Sequence, residues 1–109
     1  MDMKRFGMII ILKPHRIEEY KKLHAAVWPE VAKSISTSNI RNYSIYLKDD
    51  MLFSYFEYLG NSYEVDMEEM AANSVIQEWW DVCKSCMLPI ETRKEGEWWA
   101  NMEEVFHQD

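Results

Sequence analysis

The order of predicted strands and helices is the feature that most restricts how this chain folds. Its segments alternate in the order β-α-β-β-α-β, from which two crossover units can build one four-stranded antiparallel sheet with helices on one face. We therefore predict an α+β fold, a ferredoxin-like sandwich. Apolar periodicity predicts strands at residues 6–12, 43–47, 52–58 and 102–106, and helical regions at residues 17–36 and 61–87.

Three positions set the predicted helix ends. Pro29 lacks a backbone donor, so a kink or restart is expected near Trp28. Asn39 is predicted to end the first helical region in the left-handed conformation. Asn73 and Ser74 predict a new helix cap, and Ser74 with Gln77 three residues later fits a capping box at the start of the last helix.

The second face of the predicted sheet carries apolar residues too. Ile9, Ile10 and Ile11 follow one another, so successive side chains on both faces of the first strand are apolar. Helices cover only one of those faces, and an uncovered apolar sheet is a surface for a partner. We expect residues 1–109 to form one domain that pairs sheet to sheet as a homodimer.

The charge balance excludes some classes of partner. Twelve Lys and Arg against nineteen Asp and Glu give a formal net charge of -7. Nucleic acids and anionic membranes are therefore not expected partners, because both require a basic surface. No segment has the length of a membrane span, and the two cysteines are too few for a disulfide scaffold. The expected compartment is the cytoplasm.

Tyr20 and His24 are the most informative pair for chemistry. They lie four residues apart on a predicted helix and therefore share one face. Histidine can take and give a proton near neutral pH, and a tyrosine beside it can donate a hydrogen bond. The structural alternative is a core tyrosine with a half-buried histidine bonded to a backbone carbonyl.

Two tryptophan pairs form the second feature. Neighbours on a helix point about 100° apart, so one of Trp79 and Trp80 should pack inward and the other should lie at a rim. An indole face at a rim suits the C–H patches of a sugar ring, and an interface would use it equally well. For Trp98 and Trp99 we predict a structural or dimer role.

Cys83 and Cys86 have the spacing of a redox or metal pair. A redox dithiol belongs at a helix N-terminus, and this pair falls near a predicted helix C-terminus. A zinc site would need two more ligands, and the sequence contains no second cysteine pair. We interpret both as incidental small buried residues and predict no metal site.

Four stretches together resemble the L-rhamnose mutarotases, in that family's order and across nearly the whole chain. They are residues 19–30 (EYKKLHAAVWPE), 42–47 (NYSIYL), 77–80 (QEWW) and 102–107 (MEEVFH). The resemblance implies a dimeric, ferredoxin-like α+β barrel. It also implies interconversion of the α and β anomers of L-rhamnose, or a related deoxy-hexose, without a metal or cofactor.

The same resemblance implies roles for five residues. His24 matches the family's proton-transferring histidine, and Tyr20, Tyr43, Trp79 and Trp80 match its substrate-binding residues. Two other classes of protein remain alternative interpretations of this predicted fold. One is the dimeric α+β barrel monooxygenases and haem-degrading proteins, and the other is a non-catalytic module that binds a small ligand.

Overall fold

The computed structural model describes residues 3–109, and the five strands in that range form one antiparallel sheet. The sheet order is β2-β3-β1, and the free edge of β1 pairs with β4 at one end and with β5 at the other. The α+β fold is confirmed, with its fourth edge strand split in two. The strands are β1 (Lys4–Leu12), β2 (Ile40–Lys48), β3 (Met51–Tyr58), β4 (Met87–Leu88) and β5 (Ala100–Met102).

Four α-helices and one short 3-10 turn cover one face of this sheet. In β3, the alternating residues Leu52 and Phe56 point toward the helices and are buried with Ile10 of β1. Ile76 and Val31 meet them from the helices, so the main core lies between the two layers. The helices are α1 (Ile17–Ala25), α2 (Pro29–Thr37), α3 (Tyr63–Ala71) and α4 (Ser74–Lys84), and the 3-10 turn is Pro14–Arg16.

The predicted interruption at Pro29 is confirmed as a restart. Helix α1 ends at Ala25, and α2 begins at Pro29 itself. Trp28 has φ -58° and ψ 132°, an extended conformation that the following proline ring favours by excluding the helical one. This break places His24 in the last turn of α1 and turns the chain so that α2 starts beside it.

Asn39 ends the first helical region in the left-handed conformation, as predicted, with φ 67°. Its side chain also contributes a tertiary contact, because Nδ2 donates a hydrogen bond of 3.0 Å to the Asp66 carboxylate on α3. Tyr58 donates to the same carboxylate oxygen. The turn into β2 is therefore tied to a helix distant in sequence.

The predicted capping box at Ser74 is wrong by one residue. Asn73 is the N-cap, and its Oδ1 accepts hydrogen bonds from the backbone N–H of Val75 at 2.9 Å and of Ile76 at 3.3 Å. Gln77 donates to the Ala71 carbonyl instead of reaching back to a cap at Ser74. An asparagine carbonyl can satisfy two of the free donors of the first turn, so the helix begins one residue earlier.

Two predicted boundaries near the C-terminus are also wrong. The helix predicted to reach residue 87 ends at Lys84, and Met87 pairs with Leu12 as part of β4. The last strand lies at Ala100–Met102 instead of residues 102–106, opposite Gly7–Ile9. Both positions are set by pairing with the free edge of β1, whose backbone N–H and C=O groups need partners. The periodicity of apolar residues does not contain information about this pairing.

The helix-free face of the sheet is apolar, as the sequence indicated. Phe53 pairs with Ile9 and with Tyr46 across the sheet, and Tyr46 remains 68% exposed. We define the helix-free face by its apolar members: Ile9, Ile11, Tyr46, Phe53, Leu88 and Met102. Within residues 3–109, no helix has the length and apolarity needed to cross a bilayer.

The corrected helix start gives a testable prediction. We expect Asn73→Ala to lower the free energy of unfolding by about 1 kcal/mol, because two N–H groups of the first turn lose their acceptor. Ser74→Ala is the matched control, and it should change the free energy of unfolding by less than about 0.5 kcal/mol. Urea unfolding of both variants measures this, and a larger loss at Ser74 than at Asn73 would contradict the assignment.

Candidate active site

A cavity of about 320 Å³ lies between the helix-covered face of the sheet and the helices. Its volume is at the lower end of the range of about 300–1,000 Å³ that is typical of sites for small molecules. Most of its lining is apolar or aromatic. All five residues singled out in the sequence line it: Tyr20, His24, Tyr43, Trp79 and Trp80.

Helix α1 supplies two stacked rings to this cavity. The Tyr20 and His24 ring centroids are 4.0 Å apart, and the rings are inclined by 26°. Their four-residue spacing on one helix face produces this contact, as the sequence predicted. Tyr20 is buried and His24 is half-buried, and both residues line the cavity.

The hydrogen bond of His24 fixes its tautomer. Nδ1 lies 3.0 Å from the backbone carbonyl oxygen of Tyr20. A carbonyl oxygen can only accept, so Nδ1 carries the proton, and in the neutral ring Nε2 keeps its lone pair. The backbone-bonded histidine considered as a structural alternative is therefore present, and the same ring lines the cavity.

Burial lowers the pKa of His24, and the hydrogen bond to the Tyr20 carbonyl opposes this only in part. The charged imidazolium loses solvation when it is enclosed, so the neutral form is favoured. At neutral pH the ring is therefore uncharged and can accept a proton through Nε2.

Of the two neighbouring tryptophans on helix α4, one is buried and the other is half-buried, as the sequence predicted. Trp79 is buried, with its ring 5.2 Å from His24 and 5.1 Å from Trp28. Trp80 follows it on the helix, so its side chain points about 100° away; it is half-buried and also lines the cavity. Trp79 thus restrains the imidazole, and Trp80 offers an indole surface to a ligand.

A β-bulge turns Tyr43 toward the cavity. Between Arg41 and Ser44 the register of β2 shifts against β3, and Asn42 has φ 53°. In a regular strand Ile40 and Tyr43 would lie on opposite faces, but the inserted residue brings both to the helix-covered face. The Asn42 side chain donates a 2.7 Å hydrogen bond to Glu57, which holds the bulge in place.

Both phenols near His24 stay protonated at neutral pH. Burial raises the pKa of Tyr43 to about 12. Burial raises the pKa of Tyr20 as well. Each hydroxyl therefore serves as a hydrogen-bond donor or as an acid, and not as a base.

The cavity lining also includes Tyr63, Lys84, Trp98 and Trp99, to which the sequence analysis assigned no catalytic or substrate-binding role. Lys84 lies four residues after Trp80 on α4, a spacing that places both on one helix face and could have revealed it. Trp98 and Trp99 border the cavity, a placement that a purely structural or dimer role did not predict. They come from the loop before β5, whose path the sequence pattern does not fix.

The two cysteines are free and buried. Burial raises the pKa of Cys83 to about 12, so its thiol is protonated and unreactive as a nucleophile at neutral pH. Cys86 donates to the Glu19 carboxylate at 3.3 Å. Between residues 3 and 109, His, Cys, Asp and Glu side chains do not gather in groups of three that could hold a metal ion.

The chain is similar to known proteins over nearly its whole length. The family model described as L-rhamnose mutarotase matches residues 5–108. The L-rhamnose mutarotase of Phocaeicola vulgatus is 36% identical over 109 residues, which cover 98% of this chain and 100% of that protein. The chain belongs to the L-rhamnose mutarotase family.

Solved structures support the fold of this mutarotase-family protein. The crystal structure of an L-rhamnose mutarotase from Formosa agariphila superposes with a TM-score of 0.74 at 22% identity, covering 97% of this chain and 99% of that one. Tetracenomycin F2 cyclase from Streptomyces glaucescens, a type-II polyketide cyclase, superposes with a TM-score of 0.72 at 11% identity over 97% of both chains. At these identities the likeness concerns the curled α+β fold alone.

The tautomer of His24 gives the second prediction. We expect ¹⁵N-NMR to find the proton of neutral His24 on Nδ1 and a pKa below the usual value of about 6.5. Because protonation is disfavoured in the folded state, His24 should lower folding stability as the pH falls below about 6.5. The His24→Gln variant assigns the resonance, and a proton on Nε2 or a raised pKa would contradict the arrangement.

Proposed function

We propose that the protein interconverts the α and β anomers of L-rhamnose, or of a closely related deoxy-hexose, with His24 as its proton donor and acceptor. The observation that carries this proposal is the orientation of the imidazole. Nδ1 is engaged by a backbone carbonyl, and the ring lines an aromatic cavity with Nε2 free to accept a proton. The relatives named L-rhamnose mutarotase agree with this chemistry.

Mutarotation requires proton transfer at two oxygens of the sugar. In the proposed reaction, His24 Nε2 removes the proton of the anomeric hydroxyl while the bond between the anomeric carbon and the ring oxygen breaks. The ring oxygen takes up a proton from the Tyr20 hydroxyl or from a water. The resulting aldehyde rotates, the ring closes on its other face, and both protons return.

This division of roles follows from the environments of the two groups. His24 is neutral at pH 7 because burial lowers its pKa, so it is the base. Burial raises the pKa of Tyr20, so its hydroxyl is protonated and can donate a hydrogen bond to the ring oxygen, and it does not compete with His24 as the base. A single well-placed general acid or base accelerates proton transfer by about 10²–10⁴-fold, which is enough for a reaction that already proceeds without an enzyme.

The remaining aromatic residues bind and orient the sugar in this proposal. The half-buried indole of Trp80 stacks on the C–H patches of the pyranose. Tyr43 donates a hydrogen bond from its hydroxyl to a ring hydroxyl, and the β-bulge aims it there. Trp79 packs at 5.2 Å from His24, where it both borders the sugar and restrains the imidazole. The reaction as proposed uses no metal or cofactor.

We further propose a homodimer formed through the helix-free face. That face exposes several large apolar side chains side by side, including Tyr46 and Phe53. A contiguous apolar surface of this kind is typical of a protein–protein contact, and a two-fold axis lets each copy cover the other. The two buried free thiols suit a reducing compartment, and we propose that the protein acts in the cytoplasm.

The catalytic proposal is tested by anomer exchange on L-rhamnose, followed by proton NMR. We expect the wild-type protein to accelerate exchange and His24→Ala to lose about 10²–10⁴-fold of that acceleration. Activity should also fall as the pH drops through the lowered pKa of His24, because the protonated ring cannot act as a base.

The control for this experiment is His15→Ala, because His15 lies in the 3-10 turn and does not border the cavity. It should exchange anomers at the wild-type rate. A wild-type protein no faster than buffer on L-rhamnose and related deoxy-hexoses would refute the function. A fully active His24→Ala variant would refute the role of the histidine alone.

The dimer proposal predicts that Phe53→Asp produces monomers, because a charge would be buried in the centre of the contact. Val65→Asp is the matched control, since Val65 is exposed on α3, remote from the helix-free face. Sedimentation velocity should give a dimer for the wild type and the control, and a monomer for Phe53→Asp. A monomeric wild-type protein would contradict the proposal.

A further inference from the structure

Part of the cavity wall is formed by Lys84 and Trp98, which the catalytic proposal does not use. The Lys84 ammonium lies 5.5 Å from the centroid of the Trp98 ring, and both side chains line the cavity. Lys84 extends from the last turn of α4, and Trp98 comes from the loop that leads into β5. Two elements distant in sequence therefore build this wall together.

This wall contains donors without acceptors. Among the described residues that line the cavity, Lys84 is the only one with a formal charge, and no Asp or Glu accompanies it. Its ammonium forms no ion pair with a carboxylate in the range 3–109. The Trp98 Nε1 is buried and finds no hydrogen-bond acceptor in the same range.

An ammonium and an indole N–H can only donate hydrogen bonds. Lys84 is exposed, so water can satisfy its ammonium in the free protein, and a ligand that accepts hydrogen bonds can take the place of that water. The matching ligand group is one that only accepts, and beside a cation that group is an anion. The overall charge of -7 makes this local positive wall distinct from the rest of the chain.

The wall lies apart from the proton-transfer end of the cavity. Two further depressions border His24, and neither is lined by Lys84 or Trp98. A sugar with its anomeric carbon at His24 would therefore present a different substituent to Lys84. The two contacts can then be made by one pyranose without competing for the same oxygen.

We propose that Lys84 and Trp98 form a subsite for a sugar carboxylate, so that the protein accepts hexuronic acids in addition to a neutral deoxy-hexose. One ammonium balances the single charge of a carboxylate, whereas a sugar phosphate carries nearly two negative charges. The carboxylate oxygens accept hydrogen bonds from Lys84 Nζ, and the face of the Trp98 ring holds that ammonium at the cavity wall. This inference rests on the proposed function for the chemistry at His24.

The test compares anomer exchange on D-galacturonate and D-glucuronate with exchange on L-rhamnose. We expect the wild type to accelerate exchange of at least one hexuronate. Lys84→Met should lower the ratio of hexuronate to L-rhamnose kcat/KM by about 10- to 100-fold, because a charge-assisted hydrogen bond is lost. Lys84→Arg should restore much of that ratio.

Lys33→Met is the matched control, because Lys33 is exposed on α2 and does not border the cavity. It removes one positive charge and should leave the ratio unchanged. Thermal unfolding of Lys84→Met shows whether loss of a cation from the last turn of α4 affects the fold instead.

The outcomes separate this inference from the proposed function. Exchange of L-rhamnose without exchange of either hexuronate would overturn the subsite and leave the mutarotase function intact. If neither sugar class is exchanged, the mutarotase function fails, and tryptophan fluorescence titration with the hexuronates decides the subsite. Binding that Lys84→Met abolishes would support it, and equal binding or no binding would overturn it.

Discussion

Strand β1 is the element on which the rest of the structure depends, because it pairs with three other strands. Its full length lies against β3, and its second edge holds β4 and β5 at opposite ends. That second edge pins the loop between β4 and β5, which carries Trp98 and Trp99 to the cavity. Without this pairing, the cavity would lose the wall that contains Trp98 and Trp99.

The chemistry of the site depends on an apolar surrounding with very few polar groups. Enclosure lowers the pKa of His24 and raises the pKa of Tyr20 and Tyr43, so one group is left as a base and the phenols remain donors. The separation of roles arises from desolvation more than from charge pairs. In the proposed reaction, a proton donor and a base then come from two side chains on one face of α1.

The helix break at Pro29 and the β-bulge at Asn42 position the site in complementary ways. The break ends α1 just after His24, and the bulge brings Tyr43 to the same face as Ile40. Each interrupts a regular element and thereby orients a side chain of the site. Both occur at residues whose type favours the departure, a proline and an asparagine.

The sequence by itself determined the order of elements, the restart at Pro29, the left-handed Asn39 and the shared face of Tyr20 and His24. These follow from local rules of periodicity and backbone sterics, which act over a few residues. It did not decide between Asn73 and Ser74 as the cap, nor fix the end of α4 or the place of β5, because these depend on competition among nearby acceptors and on the free edge of β1. Only the tertiary structure decided that Lys84 contacts Trp98 and that both line the same cavity as His24. These residues come from segments far apart in the sequence, and no local pattern encodes a contact between them.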